Sequence, residues 1–479
     1  MKVVEGKEMI SREHSSYLSD ESGLSGSSKV LFFPENTEDV KEVLSSHNSG
    51  KNPLTVSNGK TGITGGAVPF DTDLISLEKM DRIIGLKNGR LLVEAGVSLM
   101  QIEEFLLKND PDLFYPIDVT ETSARIGGTI ATDASGGRSY HYGSTRKWVS
   151  SIKVILANGE ELFIPRGKFI SEGARSSINE KRFDLPKIKI LSVKNVAGYF
   201  IKENMDLIDL FIGNEGTLGI ITEAELRLAP RPKQLLVIVA FFSSEEDAFA
   251  FFFDAEKNLK EALTFEFFDE NSLHLLRGEF PVGGYRSAIL FEINENEEDL
   301  LKTEELLKRH NSDLDKTWMG ENRKEVEKIR DFRHKLPEII NSIIAKSRNR
   351  YPDIHKISTD IAVPQKYLRK MIDHYHAVMN REKIAYALFG HIGESHLHLN
   401  MMPEDDDQFQ RAKKIYRLFI EKAVSLGGTF AAEHGVGRLK KEYLPLLYSD
   451  EEIKGMLSIK RELDPNMILN PGVMFVVSP

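Results

Sequence analysis

Apolar residues along the first half of the chain recur in two periods that predict alternating strands and helices. Residues 91–95 and 152–156 form short apolar runs typical of strands, whereas residues 99–108 carry apolar side chains at helical spacing. Glycine-rich turns separate such segments, and Asn158-Gly159 closely follows the second run. The pattern from residue 29 to about residue 230 therefore indicates mixed α/β layers.

The pattern changes after APRPK at residues 229–233, where two prolines follow a strand-like run. Strands interleaved with amphipathic helices then predict an antiparallel sheet that helices cover on one side. A long helix at about 322–347 and a helical tail from residue 408 complete the second half. The predicted strands lie at 235–242, 263–268 and 288–293, and the predicted helices at 244–257 and 297–309.

The composition is that of a globular protein, with 41% hydrophobic and 28% charged residues. A net charge of −10 without a basic tract argues against nucleic acid as a partner, since phosphate binding depends on clustered Lys and Arg. The apolar runs are far shorter than the ~20 residues that span a bilayer, and the N-terminus lacks the apolar core of a signal peptide. We therefore expect a cytoplasmic protein that is not transmembrane, while peripheral contact with the inner membrane stays open.

The chain contains no cysteine. Disulfides, cysteinyl flavin links, thiolate nucleophiles and iron–sulfur clusters held by this chain are thus excluded. A redox enzyme with this composition has to pass its electrons to another molecule.

The first of four glycine-rich segments is SNGKTGITGGAVP at residues 57–69. Glycine tolerates positive φ and lets backbone N–H groups approach an anion, so this loop can hold a diphosphate. Its spacing differs from those of the Walker A loop and the G-x-G-x-x-G fingerprint. A loop that merely turns the chain explains this segment equally well when it is taken alone.

Three further segments are TSARIGGTIAT with DASGG at 122–137, YGSTR at 142–146 and GNEGTLGIITE at 213–223. In this order and at these spacings, the four segments resemble the FAD domain of the vanillyl-alcohol-oxidase superfamily. The resemblance is strongest to D-lactate and D-2-hydroxyglutarate dehydrogenases and to the flavin subunit of glycolate oxidase. It runs from about Phe32 to Met474 and includes NVAGY at 195–199 and ILNPG at 468–472.

This resemblance implies an α+β fold. The expected parts are a two-subdomain FAD-binding module of the PCMH type, an antiparallel-sheet cap domain and a helical C-terminal segment that returns to the flavin site. Their expected limits are residues 1–231, 232–440 and 441–479. By the same resemblance, the residues expected to bind FAD are Gly59, Thr61, Gly62, Thr64, Gly65, Ser123, Gly127, Gly128, Ala131, Gly136, Gly219 and Ile221.

The start of the first loop departs from the family pattern. Relatives often carry Arg-Gly or Ser-Gly followed by small residues, whereas this chain has Ser57-Asn58-Gly59-Lys60. Asparagine tolerates left-handed geometry better than most residues, and the lysine can face either solvent or phosphate.

The segment FGHIGESHLHLN at residues 389–400 is the most unusual in the second half. We interpret it as two strands joined by a turn, with His396, His398 and Asn400 on one face by period-two alternation. His391 lies on the neighbouring strand and can converge with His398. Two histidines and a later carboxylate suit a divalent transition metal, although a metal-free polar pocket and ordinary surface histidines stay open at this point.

The family pattern GHxGxxxxHxN, followed later by EHGxG, adds roles to these residues. It implies that His391, His398 and Glu433 bind a divalent metal such as Zn²⁺ or Mn²⁺, that Asn400 binds substrate and that His434 is the general base. The usual Asp-Gly-Asn of the loop is Glu394-Ser395-His396 here. His396 is then a fourth ligand, a second proton shuttle or a neutral replacement for Asn, and we rank the replacement first.

A substrate carboxylate favours a fixed cation, ideally the bidentate fork of arginine. Arg333 matches the position where relatives place such an arginine, and Lys356 is a weaker candidate by the same resemblance. The alternative for Arg333 is an exposed position on a long charged helix.

The resemblance thus implies an FAD-dependent dehydrogenase that oxidises a small D-2-hydroxy acid, with hydride transfer to flavin N5. Alternatives are a flavoenzyme of the same fold with other chemistry, such as an alkyl-glycerone-phosphate synthase or a sugar or alcohol oxidase, and a non-catalytic FAD-binding subunit. Expected electron acceptors are a quinone, an electron-transfer flavoprotein or an iron–sulfur subunit. A homodimer is compatible with the family.

Overall fold

The computed structural model describes residues 1–179, 181–320 and 322–476. The first part of the chain contains thirteen of the described strands and seven of the described helices. The strands are β1 (Lys2–Glu5), β2 (Val30–Phe33), β3 (Leu54–Ser57), β4 (Asp73–Ser76), β5 (Ile83–Lys87), β6 (Arg90–Glu94), β7 (Leu113–Phe114), β8 (Val149–Ile155), β9 (Glu161–Pro165), β10 (Arg175–Ile178), β11 (Lys181–Asp184), β12 (Ile220–Arg227) and β13 (Ala229–Pro230). The helices are α1 (Lys7–Glu13), α2 (Thr37–Gly50), α3 (Leu99–Asn109), α4 (Ile126–Ala131), α5 (Ser139–Tyr142), α6 (Thr145–Trp148) and α7 (Ile208–Phe211).

These strands form two principal sheets. The first has the order β1-β2-β4-β3, in which β4 is parallel to both of its neighbours and β1 is antiparallel to β2. The second is antiparallel throughout and has the order β5-β6-β12-β8-β9. Two sheets within the first 230 residues agree with the two subdomains that the sequence implies.

The second part of the chain is built around one larger sheet. Its strands are β14 (Leu235–Phe242), β15 (Thr264–Phe268), β16 (Ser287–Asn294), β17 (Thr317–Gly320), β18 (Ile357–Ser358), β19 (Ile361–Ala362), β20 (Ala385–His391) and β21 (His396–Met402). Its helices are α8 (Glu245–Asn258), α9 (Glu270–Leu276), α10 (Glu297–Arg309), α11 (Arg323–Arg348), α12 (Leu368–Glu382) and α13 (Asp406–Ser425). The strand order is β17-β14-β16-β15-β20-β21-β18, with β19 also pairing to β21, and every pair is antiparallel.

The prediction that helices cover this sheet on one side is wrong, because both of its faces are buried. Neighbouring residues of a strand point to opposite faces. Phe242 packs against Phe251 of α8 with ring centroids 5.3 Å apart, whereas Phe241 packs against Phe332 of α11 at 6.5 Å. Covered faces on both sides explain why β14 and β16 are almost continuously apolar rather than alternating.

Local sequence signals set the ends of the helices that the periodicity predicts. Ser98 caps α3 in a capping box with Gln101, and Ser244 accepts a hydrogen bond from the backbone N–H of Asp247 at the start of α8. Helix α11 agrees with the predicted long helix and tolerates Pro337 in its interior. No described helix combines the length and apolar character needed to cross a membrane.

The C-terminal segment contains α14 (Leu444–Leu447) and α15 (Asp450–Leu463) and then returns to the first sheet. Leu469 forms a bridge with Leu54 of β3, and the Asn470 side chain accepts a hydrogen bond from Val56 N at 2.6 Å. Asn470 also donates to the carbonyl oxygen of Glu215 at 2.7 Å. The chain end is thereby fixed beside two glycine-rich segments, while the domain limits stay predictions.

Candidate functional site

The hairpin of β20 and β21 brings three histidines together. His391 and His396 are paired across the hairpin, and Phe389 pairs with His398, so all of these side chains lie on one face. The ring centroids of His391 and His398 are 5.6 Å apart, as the sequence predicts, and those of His396 and His398 are 4.5 Å apart.

Glu433 enters this histidine cluster from the loop after α13. Its Oε1 lies 3.4 Å from Nε2 of His391 and 3.3 Å from Nε2 of His398. Burial alone would raise the pKa of the Glu433 carboxyl, but Lys194 and His391 outweigh burial and hold that pKa well below its usual range. One potential ligand atom from each of His391, His396, His398 and Glu433 lies within 4.8 Å of all the others. These four residues, named here the His/Glu cluster, could hold a metal ion.

Two of the histidines contact an oxygen atom through Nδ1, on the side of the ring away from Glu433, and these contacts fix the orientation of the rings. Nδ1 of His391 lies 2.5 Å from Glu266 Oε1, and Nδ1 of His398 lies 2.9 Å from the carbonyl oxygen of Thr359. Such contacts leave Nε2 of each ring directed towards Glu433, in the arrangement typical of metal-binding histidines. Burial opposes protonation of His391, but the Glu266 and Glu433 carboxylates raise its pKa to about 10.

Lys194 is a site residue that the sequence analysis does not identify. Its ammonium donates to Glu433 Oε2 at 2.8 Å, to Glu394 Oε2 at 2.9 Å and to Ser139 Oγ at 3.0 Å. The only local signal is that Lys194 directly precedes NVAGY. Because Lys194 binds Oε2, it directs Oε1 of Glu433 towards the histidines.

Asp360 is a second such residue, and it positions the segment that carries Glu433 and His434. Its two carboxylate oxygens accept the backbone N–H groups of Glu433 at 3.1 Å and of His434 at 3.0 Å. Lys440 donates to Asp360 at 2.6 Å, and His396 Nε2 lies 3.1 Å from the other oxygen. Burial alone would raise the pKa of Asp360, but the Lys440 ammonium and His434 hold it well below its usual range.

His434 lies at the exposed edge of the His/Glu cluster. Its ring is stacked on that of His398 with centroids 5.3 Å apart, and its side chain is 27% exposed. Nε2 lies 3.4 Å from Glu433 Oε1. Burial lowers the pKa of His434 to about 3, so its imidazole is neutral near pH 7.

Arg333 reaches the cluster through Glu266 rather than lying on an exposed helix face. Its Nε is 3.3 Å from Glu266 Oε2, and Glu266 in turn contacts His391. The Arg333 side chain is 22% exposed, which leaves part of the guanidinium accessible. Asn400 is buried on β21 and donates to the carbonyl oxygen of His398 at 3.2 Å, so it also lies near the cluster.

Lys356 lies farther away. It precedes β18, whose Ile357 and Ser358 pair with Met401 and Asn400, so the antiparallel register carries Lys356 away from His398. No contact among the described residues joins Lys356 to the His/Glu cluster. Burial lowers the pKa of its amine.

The structure brings the predicted FAD-binding segments together around α4. Asn58 of the first loop donates to the carbonyl oxygen of Ala95 at 2.8 Å, and a Cβ on Gly127 would meet the same amide at 2.7 Å. The fourth segment joins through Glu215, whose backbone N–H donates to the Ala131 carbonyl at 2.7 Å. The third segment joins through Arg146, which pairs with Asp133 at 3.0 Å.

The predicted FAD residues differ in their surroundings. Gly136 packs so closely that a Cβ would lie 1.6 Å from the carbonyl oxygen of Asp118, and Gly219 packs against Val154 in the same way. A Cβ on Gly62 or Gly128 would meet nothing within 4 Å. The others lie in the same four segments: Gly59, Thr61, Thr64 and Gly65 in the first loop, Ser123 before α4, Ala131 at its end and Ile221 in β12.

The residues present fit a flavin dinucleotide. Among the described residues, Ser57 Oγ and Asn58 Oδ1 are buried and have no hydrogen-bond partner. A Cβ on Gly62, in the same loop, or on Gly128, in α4, would meet nothing within 4 Å. Lys60 lies over the Tyr17 ring at 3.7 Å and 4.0 Å from Glu78, so its ammonium already has partners.

The first glycine-rich loop and the His/Glu cluster are directly connected. Thr64 Oγ1 donates to the carbonyl oxygen of His434 at 3.3 Å, and the Thr64 carbonyl accepts from Arg438 N at 2.8 Å. Glu215 binds the backbone N–H groups of Val436 and Gly437, each at 2.7 Å. The residues expected at the cofactor and those expected at the substrate therefore form one continuous site.

Comparisons with known proteins agree with this arrangement. The family model "FAD linked oxidases, C-terminal domain" matches residues 231–474, and the model "FAD binding domain" matches residues 28–164. The fold and the site thus define a flavin-dependent oxidoreductase. More narrowly, the chain belongs to the FAD-linked oxidase family.

Several curated proteins are similar over most of their length. Glycolate oxidase subunit GlcD of Bacillus subtilis is 27% identical, over 93% of this chain and 88% of its own. D-2-hydroxyglutarate dehydrogenase of Stutzerimonas stutzeri is 28% identical over 93% and 90%, respectively. D-lactate dehydrogenase of Anaerostipes hadrus is 28% identical over 95% and 91%.

A solved structure of an alkyldihydroxyacetonephosphate synthase has the same fold. The TM-score is 0.63 at 15% identity, and the match covers 94% of this chain and 76% of that chain. At this identity the likeness establishes the fold alone.

Proposed function

We propose that this chain is an FAD-dependent dehydrogenase that oxidises a small D-2-hydroxy acid to the 2-oxo acid. The observation that carries the proposal is the convergence of His391, His398, Glu433, His434 and Arg333 beside the glycine-rich segments. The names of the curated relatives, which include D-lactate and D-2-hydroxyglutarate dehydrogenases, support the same substrate class.

The side chains divide between holding the acid and accepting its proton. Arg333 offers a guanidinium to the substrate carboxylate, and Asn400 offers an amide nearby. His434 is assigned the proton of the 2-hydroxyl group because its ring lies at the exposed edge of the His/Glu cluster. Lys356, the weaker candidate, lies away from the His/Glu cluster, so we assign it no part in this step.

His391, His398 and Glu433 are proposed to hold a divalent ion such as Zn²⁺ or Mn²⁺. Their donor set and the contacts behind the two rings suit such an ion. When bound, the ion supplies a Lewis acid for the substrate oxygens, and FAD supplies the hydride acceptor. Without cysteine ligands for an iron–sulfur cluster, the protein then needs an external electron acceptor such as a quinone, an electron-transfer flavoprotein or an iron–sulfur subunit.

The test is an anaerobic absorbance titration of the FAD-loaded protein with D- and L-2-hydroxy acids. We expect one D-acid to bleach the flavin spectrum, chelation to prevent bleaching, and added Zn²⁺ or Mn²⁺ to restore it. His434→Asn is expected to keep FAD and to slow bleaching strongly. His376→Asn serves as the control, since His376 binds Tyr386 and Glu245 outside the cluster.

Other outcomes separate the alternatives. Bleaching that survives verified metal removal would retain the dehydrogenase and remove the metal. A flavin that no 2-hydroxy acid reduces would contradict the dehydrogenase and direct attention to synthase-like or alcohol-oxidising chemistry, or to a non-catalytic subunit. His434→Asn with the wild-type reduction rate would overturn the role of that residue.

A further inference from the structure

His396 occupies an unusual position for a histidine without a metal-binding role. Its side chain is 0% exposed, and it lies between two other imidazoles, with centroids 5.6 Å from His391 and 4.5 Å from His398. Its Nδ1 makes no hydrogen bond within the described part of the chain. A buried ring nitrogen normally has a partner, so this atom calls for an explanation.

The orientation of His396 matches that of its two neighbours. Each of the three rings has an oxygen atom behind one nitrogen, and for His396 this is Asp360 Oδ1, 3.1 Å from Nε2. The contact lacks the alignment of a regular hydrogen bond. The opposite nitrogen, Nδ1, faces Glu433 Oε2 at 3.8 Å. His396 therefore presents a free nitrogen to the same space as His391 and His398.

We propose that His396 is a fourth protein ligand, so that the metal site comprises three imidazoles and one carboxylate. This inference rests on the metal site of the proposed function and extends it by one residue. One ligand atom from each of the four residues lies within 4.8 Å of the other three. Two ligands ~2.1 Å from one ion are at most ~4.2 Å apart, so the four side chains have to close in by only a fraction of an ångström to reach a shared ion.

The two other roles for His396 fit the structure less well. A neutral replacement for an amide would be expected to use its ring nitrogens in hydrogen bonds, and neither nitrogen makes a regular one to any described residue. A proton shuttle needs a path to solvent or substrate, but the side chain is fully buried. His434, with 27% exposure, is the better placed proton acceptor.

Four protein ligands change which metals fit. A 2-hydroxy acid that chelates through its hydroxyl and carboxylate oxygens needs two further positions, which gives six in total. Catalytic zinc sites usually have three protein ligands and about four positions. Mn²⁺ and related ions accept octahedral geometry and would leave room for both substrate oxygens, whereas three imidazoles favour Zn²⁺ in intrinsic affinity.

The test measures metal binding rather than turnover. FAD-loaded protein is stripped of metal, and Mn²⁺ binding is followed by titration calorimetry for the wild type and for His396→Asn, His398→Ala and His376→Asn. The visible spectrum of bound Co²⁺ reports changes in the ligand set. We expect His396→Asn to weaken Mn²⁺ binding by at least tenfold and to alter the Co²⁺ spectrum, while His376→Asn leaves both unchanged.

The outcomes distinguish failure of the fourth ligand from failure of the metal site itself. If His396→Asn binds metal with wild-type affinity and spectrum while His398→Ala does not bind, the metal site stands and the fourth ligand is refuted. If the wild type binds no divalent ion, the metal of the proposed function is refuted together with it. If His396→Asn loses FAD or fails to fold, pulsed EPR on the wild-type protein loaded with Cu²⁺ counts the bound imidazoles: three support the proposal and two overturn it.

Discussion

Replacement of Arg333 by methionine tests whether this guanidinium binds the substrate carboxylate. Methionine keeps an unbranched side chain of similar reach but removes the charge and all donors. The accessible part of Arg333 would then no longer bind the acid, whereas Glu266 would keep its contact with His391 at 2.5 Å. We therefore expect the flavin to stay bound and its reduction by a 2-hydroxy acid to slow.

The size of the effect follows from the partial burial of the ion pair that Arg333 would form with the substrate carboxylate. Arg333 is 22% exposed, and loss of one partner from a hydrogen-bonded, largely buried charge pair costs about 2 to 5 kcal/mol. At about 1.4 kcal/mol per decade, this corresponds to a reduction of kcat/KM by roughly 30-fold to 4,000-fold. Arg330 lies one turn away on α11 with a side chain 48% exposed, so Arg330→Met is the matched control and is expected to change kcat/KM less than about threefold.

The assay compares an acid with its uncharged amide, for example lactate with lactamide, in stopped-flow flavin reduction. If Arg333 binds the carboxylate, Arg333→Met slows flavin reduction by the acid far more than flavin reduction by the amide. The ratio of the rate with the acid to the rate with the amide then falls. Equal slowing of both substrates would refute the reasoning, because it would show that Arg333 acts through Glu266 and His391 alone.

Three further predictions concern charge, pH and the flavin. Lys194→Met removes the ammonium from buried Glu433 and is expected to lower the free energy of unfolding of the metal-free protein by about 3 to 5 kcal/mol. The loss should be smaller when Mn²⁺ supplies a second cation. Thermal melting with and without Mn²⁺ checks this, and equal losses of stability would contradict it. Burial raises the pKa of Asp269 to about 6, so the folded state keeps its proton longer than the unfolded state, and stability is expected to fall by about 3 kcal/mol as pH rises from 3.8 to 6. Asp269→Asn, which can retain the hydrogen bonds that Oδ1 accepts, should lose this pH dependence in denaturation curves, and an unchanged slope would exclude Asp269 as its source. Gly128→Val places its side chain in open space and should leave the melting temperature of the apoprotein unchanged while FAD content falls, whereas Gly278→Val, also in open space, should change neither; normal FAD content in Gly128→Val would contradict the assignment.

Periodicity predicts the longer helices and strands of the second half because their apolar positions face the core. The predicted strand at 235–242 and the predicted helix at 297–309 agree with β14 and α10 at both ends. Periodicity does not show what covers the second face of the cap sheet. That face is closed by α11 and other segments distant along the chain, which is why the expectation of one covered side is wrong.

The candidate site likewise contains residues that the local sequence pattern identifies and residues that only the fold brings to it. Alternation along residues 396–400 is sufficient to place three polar side chains on one strand face, and the hairpin brings His391 to them. Lys194, Glu266 and Asp360 are absent from the sequence-based site because each is an isolated charged residue within an apolar or mixed segment. Their roles arise from contacts between residues far apart in the sequence, such as Lys194 with Glu433 and Asp360 with Lys440.

These distant residues also determine the charge that a substrate meets. The contacts of the His/Glu cluster join four carboxylates to three fixed cations, and His391, whose pKa of about 10 keeps it protonated near pH 7, brings the metal-free cluster to neutrality. The carboxylates are Glu266, Asp360, Glu394 and Glu433, and the cations are Arg333, Lys194 and Lys440. A divalent ion has to displace the proton of His391 before that imidazole can bind it. The exchange leaves one positive charge, which matches the single negative charge of a monocarboxylate, so the acid is expected to bind after the metal rather than before it.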